Sequence, residues 1–476
     1  MPSTALKAAG VASAIALVIA LMLRSTPLVL DQRLAAVLEG LERVERRHGV
    51  GAGTRVAVGY GACNDLFADA AALFADSSAK PTYSPRLLER QQVVDTFAYF
   101  FRHGAAAERY IENASLFDEL VESAARLAGS HFALGGNAPV MASRFVLEGC
   151  NVMLAAKMSH QLQEHLPPDL KVVGGDVTQD DIHLILEYKA GQAWGKFTAP
   201  RANRFIIHND ENNPLVKSLE PFGEKLTSFS PHLLVVSGLQ MMDNYPYAPG
   251  QREERLQSIR EQILSVGPET KVHFEMASFA ELELLKKLIE YIVPYADSLG
   301  MNEQELPNLI SMMQFGNVSV VSDSNPRVAS ALDQMRQLFR MLRDAAESVN
   351  ARGVSRLHVH TLAYQAILTS KDSTVKWSNS GGAAAKASLT AHRHVCASTD
   401  VDPSRARLLL DDSFAASRLQ NSRRVGVDSS EPVACWEEKL PEEVTICVAP
   451  VLVCTRAYQT AGAGDNISAA GLVLQI

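Results

Sequence analysis

A glycine-rich turn that runs straight into an aspartate is the segment of this sequence best suited to chemistry. The apolar run Val448–Cys454 leads to the letters AGAGD, which end at Asp465, and an apolar helical pattern follows. Glycines let the backbone approach a ligand closely, and the amides at a helix N-terminus attract anions such as phosphate. A carboxylate beside a bound phosphate suits a general base that takes the proton of an attacking hydroxyl. The pattern therefore predicts phosphoryl transfer, with a helix cap at Asp465 as the structural alternative.

Two short acidic motifs indicate further groups of the same site. Asn302 and Glu305 lie three residues apart at the start of a predicted helix, so they share a face and can jointly hold a hydrated cation such as Mg²⁺. His273 and Glu275 alternate with apolar residues in a predicted strand and point to one side of it. The structural alternatives are a solvated helix start for the first motif and an exposed strand face for the second.

The elements that must position these residues alternate along the chain. Apolar, β-branched runs predict buried strands, and amphipathic helical stretches lie between most of them. Such runs begin near Arg55, His183, His232, Val272, Arg356 and Ile446. This alternation predicts an α/β fold with a mostly parallel sheet covered by helices on both faces. Two stretches interrupt it, at about residues 67–112 and 180–210, and we expect them to form a smaller α/β lid over a substrate cleft.

Composition and the first residues narrow the class of protein. The chain has 476 residues, and its formal charge of -8 is spread without long runs, which argues against nucleic-acid binding and favours a small-molecule substrate. Residues 1–30 contain an apolar stretch, Ala8–Leu23, between Lys7 and Arg24, which is typical of a signal peptide or signal anchor. We therefore expect a monomer of the secretory pathway, in the endoplasmic reticulum or secreted, whose residues 31–476 form the catalytic domain. Only such an anchor would contact a membrane.

The cysteines and sequons add constraints that suit this compartment. Six cysteines are present without CxxC spacing, which argues against a zinc site and allows one or two disulfides in an oxidising lumen. They are Cys63, Cys150, Cys396, Cys435, Cys447 and Cys454. Sequons occur at Asn113, Asn317 and Asn466, and we expect the third to be buried because it adjoins the AGAGD turn.

Longer blocks of the chain carry a family resemblance. TAGAGDNISAAGL resembles the TxGxGD signature of the ribokinase-like superfamily, and VHFEMAS resembles the HxE motif of the ADP-dependent sugar kinases. GAAAERY, GGNAPVMA, HLILEYKAGQAWG, APRANRFIIHND, VVSGLQMM and HVHTLAYQ are similar to successive blocks of the vertebrate-type ADP-dependent glucokinases. The resemblance covers about residues 55–472. It implies a ribokinase-like three-layer core and phosphoryl transfer from ADP to the 6-hydroxyl of D-glucose, giving AMP.

The resemblance also assigns roles by position. Asp465 is the implied base, the amides of Ala463 and Gly464 stabilise the transferred phosphoryl group, and Arg204 reaches the phosphates. The implied glucose contacts are Asp65, Glu108, Gly136 and Asn137, and the implied nucleotide contacts are His360, Thr361 and Gly462. The implied partners of one Mg²⁺ are Glu275, Glu305 and Asp465, supported by Asn302 and His273. For Arg204 the structural alternative is an ion pair with Glu187 or Asp210.

One position departs from the family pattern. The family usually has N-A-C-V-D after the first strand, whereas this chain has Gly61 in place of the asparagine and keeps Asp65. Either Asn64 compensates from a neighbouring position or the affinity for sugar is weaker. Two other functions stay open at this point: a kinase of the same fold that uses ATP or fructose 6-phosphate, and a lumenal binding protein without catalysis.

Overall fold

The computed structural model describes residues 29–74, 79–279, 281–318, 323, 325–349 and 351–476. The predicted signal segment, residues 1–30, lies outside the described residues except for its last two, which belong to a helix over residues 29–46, here α1. No helix of the described chain combines the length and the apolar character needed to cross a membrane. Strands and helices are numbered in chain order, as β1–β21 and α1–α13.

Ten strands form the larger sheet. They are β1 (Arg55–Gly59), β5 (Asn151–Ala155), β6 (Lys171–Val173), β11 (Leu233–Val236), β12 (Lys271–Glu275), β13 (Ser298–Asn302), β14 (Arg356–His360), β15 (Tyr364–Ser370), β19 (Ala434–Lys439) and β20 (Glu443–Pro450). Their order is β19-β20-β15-β14-β13-β12-β11-β1-β5-β6. Neighbours from β14 to β6 are parallel, and β15, β20 and β19 add an antiparallel edge.

Helices cover both faces of this sheet. One face carries α1 with α5 (Asn137–Leu147), α6 (His160–Gln163), α12 (Ser380–Val395) and α13 (Ala463–Val473). The other carries α7 (Leu219–Phe229), α8 (Gln251–Ser265), α9 (Leu282–Tyr291), α10 (Glu305–Phe315) and α11 (Val328–Val349). Side chains alternate along a strand, so Val56 and Val58 pack on the first face and Ala57 on the second. The predicted three-layer α/β core is confirmed.

A second, five-stranded sheet stands apart from the first and has its own core. Its strands are β2 (Cys63–Asp69), β3 (Ala107–Tyr110), β4 (His131–Gly135), β7 (Ile182–Tyr188) and β10 (Asn203–His208), in the order β3-β10-β7-β2-β4. Its outer face packs against α2 (Ala70–Leu73), α3 (Arg90–His103) and α4 (Ala114–Ala125). Three two-stranded sheets lie beside these: β8 (Ala193–Trp194) with β9 (Phe197–Thr198), β16 (Ala406–Leu408) with β21 (Leu452–Cys454), and β17 (Ser413–Ala415) with β18 (Arg424–Gly426).

The predicted lid segments, 67–112 and 180–210, are shorter than the chain that builds this second sheet. The sheet already begins at Cys63, and β4 ends at Gly135. Two of the four crossings to the larger sheet lie at Gly61 and Gly136, both with positive φ (79° and 91°). Glycine takes such angles without strain. The lid segments were predicted from a change of composition along the chain, whereas the limits of the second sheet are set by these turns.

The cysteines and sequons fall into buried and exposed groups. Cys396 pairs with Cys454 and Cys435 with Cys447, while Cys63 and Cys150 are unpaired and buried. The side chains of Asn113 and Asn317 are exposed, whereas Asn466 is only 7% exposed, as expected for a residue beside the glycine turn. Asn466 holds the start of α13 instead, because its amide donates to the Gly462 carbonyl at 2.9 Å.

Candidate active site

The glycine turn places Asp465 in the first turn of α13, beside the N-terminus of α5. Gly462 precedes the helix with φ 66°, and a Cβ on it would lie 3.0 Å from Val140 of α5. The two helices are further joined where Arg144 donates to Asn466 at 3.0 Å. Two helix N-termini therefore converge near one carboxylate, which favours the binding of an anion close to Asp465.

Asp465 is held by an amide that the sequence assigned to sugar binding. Asn137 Nδ2 donates to Asp465 Oδ1 at 2.8 Å, and Gln240 Nε2 fixes the amide by donating to Asn137 Oδ1 at 2.6 Å. Burial and the charge of Glu275 raise the pKa of Asp465 to about 6, although the Asn137 bond opposes the shift. The carboxylate is ionised near neutral pH and is more basic than an ordinary aspartate, which suits a general base.

The two amides predicted to bind the phosphoryl group differ. The Ala463 amide donates to the Thr460 carbonyl at 3.3 Å, so the turn itself uses it. Among the described residues the Gly464 amide has no acceptor, as expected in a first helical turn. Gly464 also packs against His360, since a Cβ there would lie 3.0 Å from the ring. The glycine is thus required by close contact as well as by the turn.

Beneath the turn, Glu275 is the centre of a buried hydrogen-bond network. His273 Nε2 lies 2.8 Å from Glu275 Oε2, and Ser468 Oγ donates to Glu275 Oε1 at 2.9 Å. His360 Nε2 is 3.6 Å from the same oxygen as Ser468. Burial alone would raise the pKa of Glu275, but the hydrogen bond from His273 and the nearby imidazole of His360 lower it to about 2. The strand is buried on both faces, so the predicted exposed-strand alternative for His273 and Glu275 is wrong.

The Asn302–Glu305 pair forms a reciprocal cap at the start of α10. Asn302 donates to Glu305 through its backbone amide at 2.9 Å and its side chain at 2.8 Å, and the Glu305 amide donates back to Asn302 Oδ1 at 2.9 Å. Burial raises the pKa of Glu305 to about 7, and Glu275 and Glu303 add to the rise. Glu305 is buried, so a solvated helix start does not describe this pair.

This carboxylate group fits a hydrated divalent cation. The charge of Glu275 raises the pKa of both Glu305 and Asp465, so three carboxylates lie within electrostatic reach of one point. Both oxygens of Glu275 and of Glu305 already accept protein hydrogen bonds. A Mg²⁺ ion held by these residues would therefore reach the two glutamates through its waters, which it retains readily.

The inner face of the second sheet carries two of the four predicted sugar residues, Asp65 and Glu108. Strand register places Asp65 opposite His183 and His183 opposite His208, with Glu108 on the neighbouring strand. Glu108 Oε1 lies 3.6 Å from His183 Nδ1. Asp65 lies against Gly135, where a Cβ would be 2.0 Å from its carboxylate oxygen. The outer face of the sheet is apolar because the alternate side chains pack on the helices.

Sequence reasoning named Asp210 only as an alternative ion-pair partner of Arg204 and missed its place as a third carboxylate on this face. Asp210 Oδ2 lies 2.9 Å from His183 Nε2, and Asp210 Oδ1 lies 3.2 Å from His208 Nδ1. Burial alone would lower the pKa of His183, but Asp210, Glu108 and Asp65 raise it to about 10. His183 and Asp210 fall in the quoted blocks HLILEY and HND, and the alternation of the first block already placed His183 opposite the apolar set. Only the register showed which carboxylates it faces.

Arg204 lies on the same inner face, on β10. Its strand position is opposite Glu187, yet among the described residues it forms no ion pair with Glu187 or Asp210. Burial raises the pKa of both Asp65 and Asp465 to about 6, and the charge of Arg204 opposes the rise at each. Arg204 therefore lies within electrostatic reach of both carboxylates, and the predicted ion-pair alternative is wrong.

The departure at Gly61 has a structural explanation. A Cβ on Gly61 would lie 2.6 Å from Asn213 Oδ1, so the Asn213 amide occupies the space that a side chain would enter. That amide accepts from the Ala62 amide at 3.1 Å and donates to the Ala62 carbonyl at 3.0 Å. Asn64 does not compensate, because alternation along β2 turns it away from the face of Asp65.

The remaining predicted positions lie at strand ends. Thr361 Oγ1 donates to the Tyr364 carbonyl at 2.9 Å and accepts from the Tyr364 amide at 3.1 Å, so the β14–β15 turn uses this hydroxyl. Burial alone would lower the pKa of His360, but Glu275 and other carboxylates raise it. A nucleotide contact for either residue stays a prediction. Gly136 approaches Ala62 closely, with a Cβ position 3.2 Å from its Cα.

Comparison with known proteins identifies the family. The ADP-specific phosphofructokinase/glucokinase conserved region matches residues 54–474. The chain is 34% identical over 431 residues to an ADP-dependent glucokinase of Bos taurus, covering 88% of this chain and 84% of the relative. It is 29% identical to a probable ADP-dependent glucokinase of Caenorhabditis elegans, covering 79% and 76%.

Solved structures agree on the fold. An ADP-dependent kinase in complex with fructose-6-phosphate and ADPβS superposes with a TM-score of 0.65 at 18% identity, covering 93% of this chain and 97% of the other. An ancestral ADP-dependent phosphofructokinase of Methanosarcinales gives a TM-score of 0.56 at 18% identity, with the same coverage. The family resemblance noted in the sequence is thus confirmed, and the chain belongs to the ADP-specific phosphofructokinase/glucokinase family.

Proposed function

We propose that this protein transfers a phosphoryl group from ADP to the 6-hydroxyl of D-glucose, giving AMP and glucose 6-phosphate. One observation carries the proposal: a three-residue segment joins the inner face of the second sheet, here called the sugar face, to the candidate base. Gly135 packs on the Asp65 carboxylate, and Asn137, two residues later, donates to the Asp465 carboxylate. A sugar held by Asp65 and Asn137 would therefore have a hydroxyl near Asp465. The identity to glucokinases over most of the chain supports the same activity.

The chemistry follows from the site residues. Asp465 accepts the proton as the sugar hydroxyl attacks phosphorus, and its raised pKa strengthens it as a base. The Gly464 amide and the helix N-termini stabilise negative charge on the transferred group, and Arg204 contributes a cation from the second sheet. Movement of the second sheet as a lid over the cleft would exclude water that could otherwise accept the phosphoryl group.

A divalent metal ion belongs to this proposal. The carboxylates of Glu275, Glu305 and Asp465 are the residues that would hold Mg²⁺, with Asn302 and His273 orienting the two glutamates. When bound, Mg²⁺ neutralises charge on the phosphates of the nucleotide. We propose one ion per site.

The acceptor is proposed to be neutral glucose rather than a sugar phosphate. Asp65, Glu108 and Asp210 contribute three carboxylates to the sugar face, against the imidazolium of His183 and the guanidinium of Arg204. A second phosphate on the sugar would need further cations at this face. Carboxylates and amides instead bind hydroxyl groups and discriminate against analogues that lack one.

The secretory pathway is the proposed location. The apolar segment Ala8–Leu23 supports it, and so do two disulfides, which persist in oxidising compartments.

The decisive experiment is a coupled assay of glucose 6-phosphate formation by residues 31–476 with Mg²⁺ and an adenylate kinase inhibitor. Product with ADP but not ATP is the expected result. Product with ATP alone would reassign the donor, and fructose 6-phosphate as the better acceptor would reassign the sugar. No product with either donor, despite glucose binding, would favour a binding protein.

A further inference from the structure

Asp210 is the most completely enclosed carboxylate of the sugar face. Its side chain is fully buried, and it contacts His183 at 2.9 Å, Asn213 at 2.6 Å and His208 at 3.2 Å. A buried carboxylate with these partners does not touch solvent, so it has no direct access to a substrate. Any effect of Asp210 on a substrate must therefore pass through the residues that it contacts.

One neighbour faces the sugar side. His183 Nδ1 is 3.6 Å from Glu108 Oε1, which is beyond hydrogen-bond distance, and among the described residues this buried oxygen accepts no hydrogen bond. A hydroxyl between the two groups would accept from His183 and donate to Glu108. The bond from His183 Nε2 to Asp210 determines the direction in which the opposite nitrogen points, as a carboxylate commonly does for a functional histidine.

The other neighbour lies at a crossing between the two sheets. Asn213 donates to Asp210 and binds both the amide and the carbonyl of Ala62, in the segment that leaves β1 for β2. Asp210 itself follows β10, in the segment that returns to the larger sheet. The contact thus ties two of the crossing segments together. Both segments join the second sheet to the larger one, so a rotation of the second sheet would act on this contact.

We propose that Asp210 is a positioning residue that orients His183 toward the sugar and, through Asn213, couples sugar binding to movement of the second sheet. The inference rests on the proposed function, because it concerns the same sugar. Asp210 touches neither substrate nor nucleotide in this arrangement. Its loss should therefore weaken the response to glucose and leave the response to ADP intact.

The test compares two variants with a matched control. Asp210→Asn keeps the shape of the side chain and removes its charge. Asn213→Ala keeps the contact between Asp210 and His183 and removes the hydrogen bonds to Ala62. Asp297→Asn is the control, since Asp297 is equally buried but pairs with Arg352 away from the sugar face. Glucose and ADP affinities are measured by calorimetry, KM values by steady-state kinetics, and closure by the glucose-induced fall in radius of gyration in X-ray scattering.

The expected results separate positioning from general damage. Asp210→Asn should raise the KM and Kd for glucose by about tenfold, the size of one lost polar contact, with the KM for ADP within about twofold. Asn213→Ala should reduce closure more than it reduces glucose affinity. Asp297→Asn should lower the melting temperature without changing either KM.

Other outcomes would overturn the inference. Unchanged glucose affinity in Asp210→Asn, or equal losses for glucose and ADP, contradicts the positioning role. Normal closure in Asn213→Ala contradicts the coupling, and it decides that point even if Asp210→Asn fails to fold. A wild-type protein that binds glucose but forms no glucose 6-phosphate with ADP contradicts the proposed function instead, and calorimetry on the variants still tests the inference.

Discussion

Two clusters of acids and histidines lie in this molecule, one beneath the glycine turn of the larger sheet and one on the inner face of the second sheet. The turn cluster comprises Glu275, Glu305 and Asp465 with His273 and His360. The sugar-face cluster comprises Asp65, Glu108 and Asp210 with His183 and His208. Similar residue types thus occur in both, and the side-chain inventory alone would not tell them apart.

The clusters differ in how their charge is balanced. On the sugar face, Asp210 pairs with His183, whose pKa is raised to about 10, so an imidazolium offsets part of the negative charge. Beneath the turn, burial lowers the pKa of His273, so His360 is the histidine that offsets Glu275. The pKa values of two further carboxylates there are raised, Asp465 to about 6 and Glu305 to about 7, whereas on the sugar face that of Asp65 is raised to about 6. A cluster with uncompensated charge suits a cation and phosphates, whereas a compensated one suits neutral hydroxyls.

The largest effect is expected for the base of the turn cluster. Asp465→Asn keeps the Asn137 contact geometry but cannot accept the proton, so kcat should fall by about 10²- to 10⁴-fold. Glucose affinity, measured by calorimetry, and the melting temperature should stay close to wild type. Turnover within a few-fold of wild type would exclude Asp465 as the base.

A smaller loss is expected when the support of Glu275 is removed. Arg356 donates to Ser298 Oγ at 3.0 Å, which leaves the Ser298 hydroxyl proton for His273 Nδ1 at 2.8 Å and the His273 Nε2 proton for Glu275. Ser298→Ala breaks this chain, and kcat should fall by about tenfold, as for other groups that orient a ligating residue. The KM for glucose should change little, because the sugar face is separate.

Ser388→Ala is the matched control for that variant. Ser388 is also buried, but it donates to the Pro450 carbonyl, outside the Glu275 network. Equal losses of kcat in the two serine variants would mean that the effect comes from packing rather than from Glu275.

The pH dependence of kcat/KM tests the raised pKa of Asp465 in the turn cluster. Because the base must be ionised, kcat/KM should be retained above the Asp465 pKa of about 6 and lost as the pH falls through it. The Asn137 hydrogen bond stabilises the carboxylate, so Asn137→Ala should move this acidic limb to higher pH. If the acidic limb of Asn137→Ala coincides with that of the wild type, the titrating group is not Asp465. Wild-type protein assayed in the same buffers is the reference.

The smallest effect on activity is expected far from both clusters. Cys435 and Cys447 are directly opposite on β19 and β20 and close a loop with a sequence separation of 12. Cys435→Ser with Cys447→Ser should lower the free energy of unfolding by about 2–3 kcal/mol, measured by denaturant titration, and leave kcat and both KM values unchanged. Cys150→Ser, which removes an unpaired thiol, is the control. A loss of glucose affinity in the double variant would show that this edge reaches the sugar face.

Local patterns were sufficient for the core and for the prediction of several single residues of the candidate site. The alternation of strands and helices predicted the three-layer fold, since a strand buried on both faces needs a continuous apolar run. The AGAGD turn predicted the start of α13, because glycine before a helix and an acid in its first turn are local preferences. The Asn302–Glu305 spacing predicted a shared face for the same reason.

Predictions that depended on distant segments were weaker. The segments predicted to form the lid are shorter than the chain of the second sheet, because two of the changes of sheet occur at glycine turns whose significance depends on where the chain goes next. The roles of Asp210, Asn213 and Ser298 were missed, since each one acts through a partner more than 20 residues away in the sequence.

The sequence by itself determined the fold class and the family and predicted which residue is the base, because these depend on residue type and on spacing within one element. Only the tertiary structure decided which histidine faces which carboxylate, and therefore which cluster carries uncompensated charge. The reason is physical: a pKa depends on burial and on charges a few ångströms away. Those neighbours arrive from separate strands, and only the strand register and the helix packing bring them together.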